Sequence, residues 1–500
     1  MKNGLLKLLA AVMAVLLTGG LFAACADKGG EDVKTDPEAA ASTSAQTPDE
    51  TTEEDPFAGI NYGGRTFTYL VWKQGISEYY GDDSDGDMIK TSLFRRNSIV
   101  SDKLGVELEF IEEPGNSSTF TTFCQTAGNN IKSGAHAYDA LACYSRSASL
   151  LMMQGSLLNL LDNEYLDFEQ TWWPESLVKL NTIGGKLYFS SGDIATSLLY
   201  EMMFMSINND LAKDRGISGV QEKALAGNWT FDYMLEIISN VYTDASGGAT
   251  PRDINNTYGL YLISHPQLDI FYLGAGLNYV EIDSDGRAVV SDDIGGDISS
   301  DIREKLRKVF WSGNESDGYY SNSGDDLAAL STGKSLLYVI NGSRLQARMS
   351  QADFSYGILC APKYNSDQEN YYTAVGFPHS MYCIPLDAND PDMSGAVLEL
   401  TARTSYEEVT PTVFDTAFKY KYSQGAADGQ MFDIIRRGVV FDFGRTMFDQ
   451  MGGDSSGPVR LWRNDITGNT DVLNRMLKTY GSKWTAALDD AIATITNAST

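Results

Sequence analysis

Arg65-Thr66-Phe67-Thr68-Tyr69-Leu70-Val71-Trp72 alternates in polarity and is rich in aromatic and β-branched residues, which reads as a β-strand. A Gly/Asp-rich loop over 81–87 follows. Residues 88–104 then place Ile89, Leu93, Phe94, Ile99 and Val100 at helical spacing. Gly105 stops that helix, and 106–111 (VELEFI) is a second strand. Residues 120–131 read as a helix and 138–143 as a third strand. Strand, helix, strand, helix, strand implies parallel strands in an open α/β sheet, whose ligands sit beyond the carboxyl ends of the strands. Those ends carry Trp72 and Gln74 after the first strand, and Tyr144, Ser145 and Arg146 after the third.

Downstream, 185–190 reads as a strand followed by Gly192-Asp193, and the apolar run 198–207 is expected between lobes or within a sheet. Thr230 is placed to cap a helix running through Leu235 toward Tyr242. Residues 245–330 read as loop-rich, with helical stretches near 267–276 and 300–311. A strand over 335–340 and a helix over 343–349 follow. Residues 354–364 are expected to carry the chain across again, 371–385 to be mostly β, 395–404 to be helical, and the last 90 or so residues to be largely helical. No internal repeat of fixed period is present.

Upstream, Lys2 and Lys7 precede the apolar run 8–17 and the segment Thr18-Gly19-Gly20-Leu21-Phe22-Ala23-Ala24-Cys25. A positive start, a short apolar core and small residues before a cleavage point make a secretory signal over 1–24. The Cys after Ala23-Ala24 resembles a bacterial lipobox, which implies lipidation of Cys25. Residues 26–57 are acidic and rich in Ala, Ser, Thr and Pro, with few large apolar side chains. Such a segment cannot offset its ordering entropy by burial, and 25–57 is expected to be a lipidated, disordered acidic tether.

The remaining chain is too long for one ordinary core, and two lobes are expected. The formal net charge is −29, and no basic cluster with interleaved aromatics occurs, which argues against nucleic-acid binding. Cys124, Cys143, Cys360 and Cys383 are too few for a dense disulfide framework, and their pairing stays open.

Several stretches together resemble a known family. They are 65–72, then 95–108 (RRNSIVSDKLGVEL), 137–141 (AYDAL), and Gly155-Ser156-Leu157-Leu158-Asn159-Leu160. They continue with 228–234 (NWTFDYM) and 354–364 (FSYGILCAPKY) with Gln368 and Tyr371-Tyr372. In order and spacing behind a lipobox, they resemble the family 1 extracellular solute-binding lipoproteins of ABC importers, the sugar-binding group that includes the maltose-binding protein. The resemblance implies two α/β lobes of the periplasmic-binding-protein-like type II fold, joined by a hinge around an interlobe cleft. It implies capture of a small solute, a mono- or oligosaccharide, and delivery to the transmembrane subunits of an ABC permease from the outer face of the cell membrane. No catalysis and no cofactor are implied. Cys360 stands where the family has a Pro. The lobes are expected at 58–197 plus 365–410 and at 198–364 plus 411–500.

Strand ends and chemistry nominate the site residues. Sugars present apolar C–H faces ringed by hydroxyls, so aromatic faces with polar partners suit them. Trp72, Tyr144, Trp172, Trp173, Trp229 and Trp311 are candidate stacking residues, with Trp229 at a helix start where it also suits the core. Arg146 and Asp193 are candidates for charge-assisted bonds to hydroxyls. Tyr371, and His379 in the returning segment, complete the ligand-binding set of Trp72, Tyr144, Arg146, Asp193, Tyr371 and His379. No metal site is expected. Glu281, Asp283, Asp285, Gly286 and Asp292 mimic calcium-loop spacing, but an Asp-Gly hairpin turn accounts for them. Carboxylate pairs such as Glu112-Glu113 and Glu407-Glu408 leave an exported glycoside hydrolase or lyase as the alternative, beside a surface-binding protein without a transport role. Neither H-E-x-x-H nor a Walker A sequence occurs.

Overall fold

The computed structural model describes residues 55–497, apart from 84–85, 246, 248–252, 314–315 and 322–328. The signal, Cys25 and most of the tether lie outside the described residues.

The opening strand forms as expected, β1 (Arg65–Trp72), and is followed by the helix Met88–Leu104. Asp87 starts that helix by accepting hydrogen bonds from the backbone N–H groups of Ile89 and Lys90. Leu93, Arg96, Val100 and Leu104 form its buried stripe, each apolar member contributing about 1.5–3 kcal/mol on burial. Gly105 ends it at φ 64, a left-handed cap that glycine adopts without strain. β2 (Val106–Glu113), the helix Phe120–Lys132 and β3 (Ala140–Tyr144) complete the unit. β1 pairs in parallel with β2 from Arg65↔Val106 to Trp72↔Glu113, and with β3 at Tyr69↔Ala140. The fourth strand of this sheet, β11 (Ser380–Cys383), comes from far downstream and runs antiparallel to β3.

A second sheet is built from the middle of the chain. Its strands are β4 (Met203–Asn208), β5 (Tyr258–Leu262), β8 (Gly318–Tyr320), β9 (Ser335–Asn341) and β10 (Tyr356–Leu359), in the order β10-β4-β9-β5-β8. β4 runs antiparallel to both neighbours, while β5 is parallel to β9 and β8. β4, β5, β9 and β10 are buried along their whole length, the expected pattern for strands covered on both faces. Two mixed sheets flanked by helices thus form two lobes.

Several expectations change. Residues 185–190 form no strand, because only single bridges, Ile183↔Lys186 and Ser190↔Tyr382, engage them. Residues 354–364 stay with the second lobe, where β10 lies at the sheet edge beside β4. In 371–385 the ladder is confined to β11. The supposed loop 245–330 holds β5, β8 and the hairpin β6 (Val280–Ile282) and β7 (Ala288–Val290). That hairpin turns at Asp283–Gly286, with Gly286 at φ 74, so the calcium-like spacing is a turn. The four described cysteines are buried free thiols. Among the described residues no helix is long and apolar enough to cross a membrane.

Candidate functional site

The chain passes from the first lobe to the second along the helix Thr196–Glu201 into β4, and returns along 371–380 into β11. The two passages lie side by side. The N–H of Met203 donates to Ala374 O at 2.8 Å, and the N–H of Gly376 donates to Glu201 O at 2.8 Å. A Cβ at Gly376 would fall on the Glu201 carboxylate, so glycine permits this approach. Glu201 accepts from Asn341 Nδ2 at 2.9 Å and Ser343 Oγ at 3.3 Å. Burial pushes its carboxyl up to about 7, against the pull of Arg344.

Beside this crossing lies a cleft of about 1570 Å3. Its lining comes from 168–202, 273–278, 369–372, Tyr406 and 433–440. The side chains combine aromatic faces (Trp172, Tyr371, Tyr372, Tyr406) with hydrogen-bonding groups such as Gln170, Lys179, Asn278 and Arg436. Large volume, apolar faces and scattered polar partners suit a polyhydroxylated solute.

One cleft wall is fixed by a chain of contacts. The indole N–H of Trp172 donates to Glu399 Oε1 at 2.8 Å, and its ring lies 6.1 Å from Tyr406. The N–H of Asp193 donates to Trp172 O at 3.1 Å. Gly192 sits at φ 137, and a Cβ there would strike that same carbonyl oxygen. Asp193 accepts from Arg436 Nη2 at 2.7 Å and from Thr410 Oγ1 at 2.5 Å. Burial raises its carboxyl above the ordinary range, and Arg436 and Thr410 oppose the shift. The Arg436 guanidinium lies 5.9 Å from the Tyr406 ring centre. Tyr406 reaches the cleft, and Thr410 reaches Asp193 behind it, where the helix Pro391–Thr404 continues through Ser405–Val409 and Pro411–Lys421 in wider turns. Pro411, lacking an N–H, cannot support ordinary helical bonding there.

Of the six residues nominated from the sequence, Asp193 and Tyr371 line this cleft. The Tyr371 hydroxyl is also engaged, accepting from Trp229 N–H and donating to Ala224 O, both at 3.0 Å. The other four lie elsewhere. Trp72 is 4% exposed, its indole N–H donates to Ser380 Oγ at 2.7 Å, and its ring packs 5.4 Å from that of Tyr144, also buried. Arg146 forms a two-point pair with Asp449 and lies between the rings of Phe120 and Phe448, each 4.8 Å away. His379 is buried, and its Nδ1–H donates to Gly376 O at 2.7 Å. Desolvation pulls its imidazole down to about 4. With Ser145, Asp442 and Arg445 it lines a separate cavity of about 20 Å3, the size of one water.

Trp172 is among the candidate stacking aromatics of the sequence but outside its ligand-binding set of six, and Tyr406 and Arg436 are in neither. The tandem Trp172-Trp173 was the available signal. Gly453-Asp454-Ser455-Ser456-Gly457 matches the spacing of a serine nucleophile turn, but it lies on a short helix, Gly453–Ser456, not after a strand. The Ser455 hydroxyl donates to Gly452 O at 2.9 Å. Among the described residues no group of His, Cys, Asp or Glu is arranged to hold a metal ion.

No family model and no curated protein matches the chain. Solved structures do. The cyclic α-maltosyl-1,6-maltose binding protein from Arthrobacter globiformis is 12% identical, with 85% of this chain and 99% of that chain covered at a TM-score of 0.57. The galacto-N-biose-/lacto-N-biose I-binding protein of an ABC transporter from Bifidobacterium longum is also 12% identical, covering 87% and 98% at 0.54. The GacH receptor of Streptomyces glaucescens, solved unliganded and with acarbose, is 14% identical, covering 85% and 99% at 0.51. Nearly all of each of those chains is matched, so the two-lobed fold of those structures is shown for this chain.

Proposed function

We propose that this protein reversibly captures a carbohydrate, a mono- or oligosaccharide, in the interlobe cleft and delivers it to the permease of an ABC importer. The carrying observation is the cleft itself. Aromatic faces and a set of hydrogen-bonding side chains line a volume of about 1570 Å3 beside a paired crossing of the chain. Of the three similar structures, two are saccharide-binding proteins and one is a receptor solved with acarbose, which supports the same class here. Asp193 and Tyr371 are retained as ligand contacts, joined by Trp172, Tyr406 and Arg436. Trp72, Tyr144, Arg146 and His379 act through packing, given their burial and existing partners.

Closure is a shift of population toward the form in which solute touches both walls. In this reading the lobes comprise 58–197 plus 365–410 and 198–364 plus 411–500. Cys25 carries the lipid, and 26–57 holds the domain off the outer face of the cell membrane. Several acyl groups are required for stable anchoring, since a single chain binds only marginally.

A panel of neutral saccharides screened by thermal shift tests the reading, because a ligand that binds only the folded state raises its apparent stability. A rise in Tm with one saccharide group and no change in the sugar afterwards is expected. Turnover of a glycan would favour the hydrolase alternative.

A further inference from the structure

We propose that Glu399 is a positioning residue for the cleft: its carboxylate clamps the indoles of Trp172 and Trp173 and so sets the Trp172 ring as the wall against which the solute stacks. The inference rests on the solute-capture reading of the cleft, and adds a residue that no solute touches.

Glu399 lies in the helix Pro391–Thr404 and is 3% exposed. Three N–H donors converge on it. Trp172 Nε1 lies 2.8 Å from Oε1, Trp173 Nε1 lies 2.8 Å from Oε2, and the backbone N–H of Asp167 lies 3.2 Å from Oε2. Among the described residues no cation pairs with it. A buried acid without a cation is costly, so the position demands something a neutral side chain does not supply. A carboxylate offers two acceptor oxygens, one for each indole. A glutamine offers one oxygen, and its NH2 would face the other indole donor.

The two indoles play different parts. Trp173 is 3% exposed and packs against Phe168 at 5.3 Å between ring centres, which anchors the clamp in the core. Trp172 is half-buried and lines the cleft. Its carbonyl is tied to the Asp193 N–H and its ring sits beside Tyr406. The backbone and the indole nitrogen of Trp172 are therefore held at separate points, and its ring plane is fixed before any solute arrives. Such preorganisation lowers the ordering cost of binding. Burial pushes the Glu399 carboxyl up to about 7, the indole N–H bonds oppose that shift, and the facing charge of Asp167 reinforces it. Protonation turns one acceptor oxygen into a hydroxyl and loosens one indole.

The test uses the full chain and the variants Glu399→Gln and Trp172→Phe. Without ligand, tryptophan emission and acrylamide quenching are followed from pH 5 to 9. The wild type shows a transition centred near 7 that is reduced in both variants, in Glu399→Gln because the titrating carboxyl is gone and in Trp172→Phe because only Trp173 still reports it. Titration calorimetry with acarbose and with lacto-N-biose as probes then compares wild type and Glu399→Gln, with about tenfold weaker binding expected on loss of one charge-assisted bond. Circular dichroism checks that Glu399→Gln keeps its fold. The proposal is overturned if the fluorescence transition is undiminished in Glu399→Gln, or if that variant binds a probe as tightly as wild type does. Should neither probe bind the wild type, solute capture has failed for these sugars, and the ligand-free fluorescence still decides the role of Glu399.

Discussion

Asp193 and Arg436 are separated by 243 residues in sequence and meet at 2.7 Å at the edge of the cleft. One side chain follows Gly192 before the chain leaves the first lobe. The other closes the helix Ala426–Arg437. The pair braces the cleft wall that Trp172 and Tyr406 also build, and in the proposed reading Arg436 exchanges part of that bond for a solute hydroxyl. Asp193 is nearly buried whereas the Arg436 side chain is 31% exposed, so solvent screens the interaction. Arg436→Ala is predicted to cost about 1–2 kcal/mol of stability, less than a fully buried pair would. Urea unfolding of the variant measures it. A loss near zero would show that the pair contributes nothing to the resting structure.

Gly192 is predicted to be intolerant of any side chain. At φ 137 an alanine is strained, and its Cβ would push against the carbonyl of Trp172. Gly192→Ala should lose about 1–3 kcal/mol and weaken solute binding together with it, because the displaced atom belongs to the cleft wall. Stability and affinity measured on the same preparation check the coupling. A variant that loses stability but binds normally would separate Gly192 from the cleft.

Glu201 makes stability depend on pH. Its folded carboxyl is raised to about 7 from an ordinary value of 4.5. The folded state therefore holds that proton more tightly than the unfolded chain, and the associated stability is fully present below about 4.5 and is lost as pH rises through 7. Asp442, raised to about 6, and Glu399, raised to about 7, act in the same direction. His379, lowered to about 4, acts oppositely, losing stability as pH falls from about 6.5 toward 4. Glu201→Gln should flatten the fall in stability between pH 5 and 8 by about 2–3 kcal/mol at most. The benefit at high pH is smaller, since Arg344 loses its counter-charge. Urea unfolding at both pH values reads this, and an unchanged slope would contradict it.

The thiols of Cys124, Cys143, Cys360 and Cys383 are buried, and burial holds those of Cys124, Cys143 and Cys360 above their ordinary range. Thiolate is the reactive form. The folded protein should react slowly with an aromatic disulfide reagent, and the unfolded chain should release four equivalents when Cys25 is acylated. Fewer than four would indicate a disulfide.

The first sheet was legible because its signals are local. The alternation in 65–72, the stripe of Leu93, Val100 and Leu104, and the stop at Gly105 each sit within one element. The strand at 185–190 was misread because its alternation lacks a ladder partner, which no local pattern reveals. β5 and β8 were missed among Gly, Asn and Asp residues, since the pairing of β5 with β9 and of β8 with β5 is set at long range. The same limit governed the cleft. Strand ends led to Trp72 and Tyr144, which the fold turns inward onto Ser380 and onto each other. Tyr406 and Arg436 come from helices whose sequence carries no ligand signal, and only tertiary packing brings them to Asp193 and Trp172.

Titration calorimetry of neutral oligosaccharides into the wild-type protein and into Trp172→Ala, with the sugar recovered and analysed afterwards, tests solute capture in this cleft most directly. The account predicts one-to-one binding by the wild type, weakening by about 1–3 kcal/mol in Trp172→Ala, and sugar recovered unchanged. Equal affinity in the two proteins, or a sugar that returns cleaved, would contradict it.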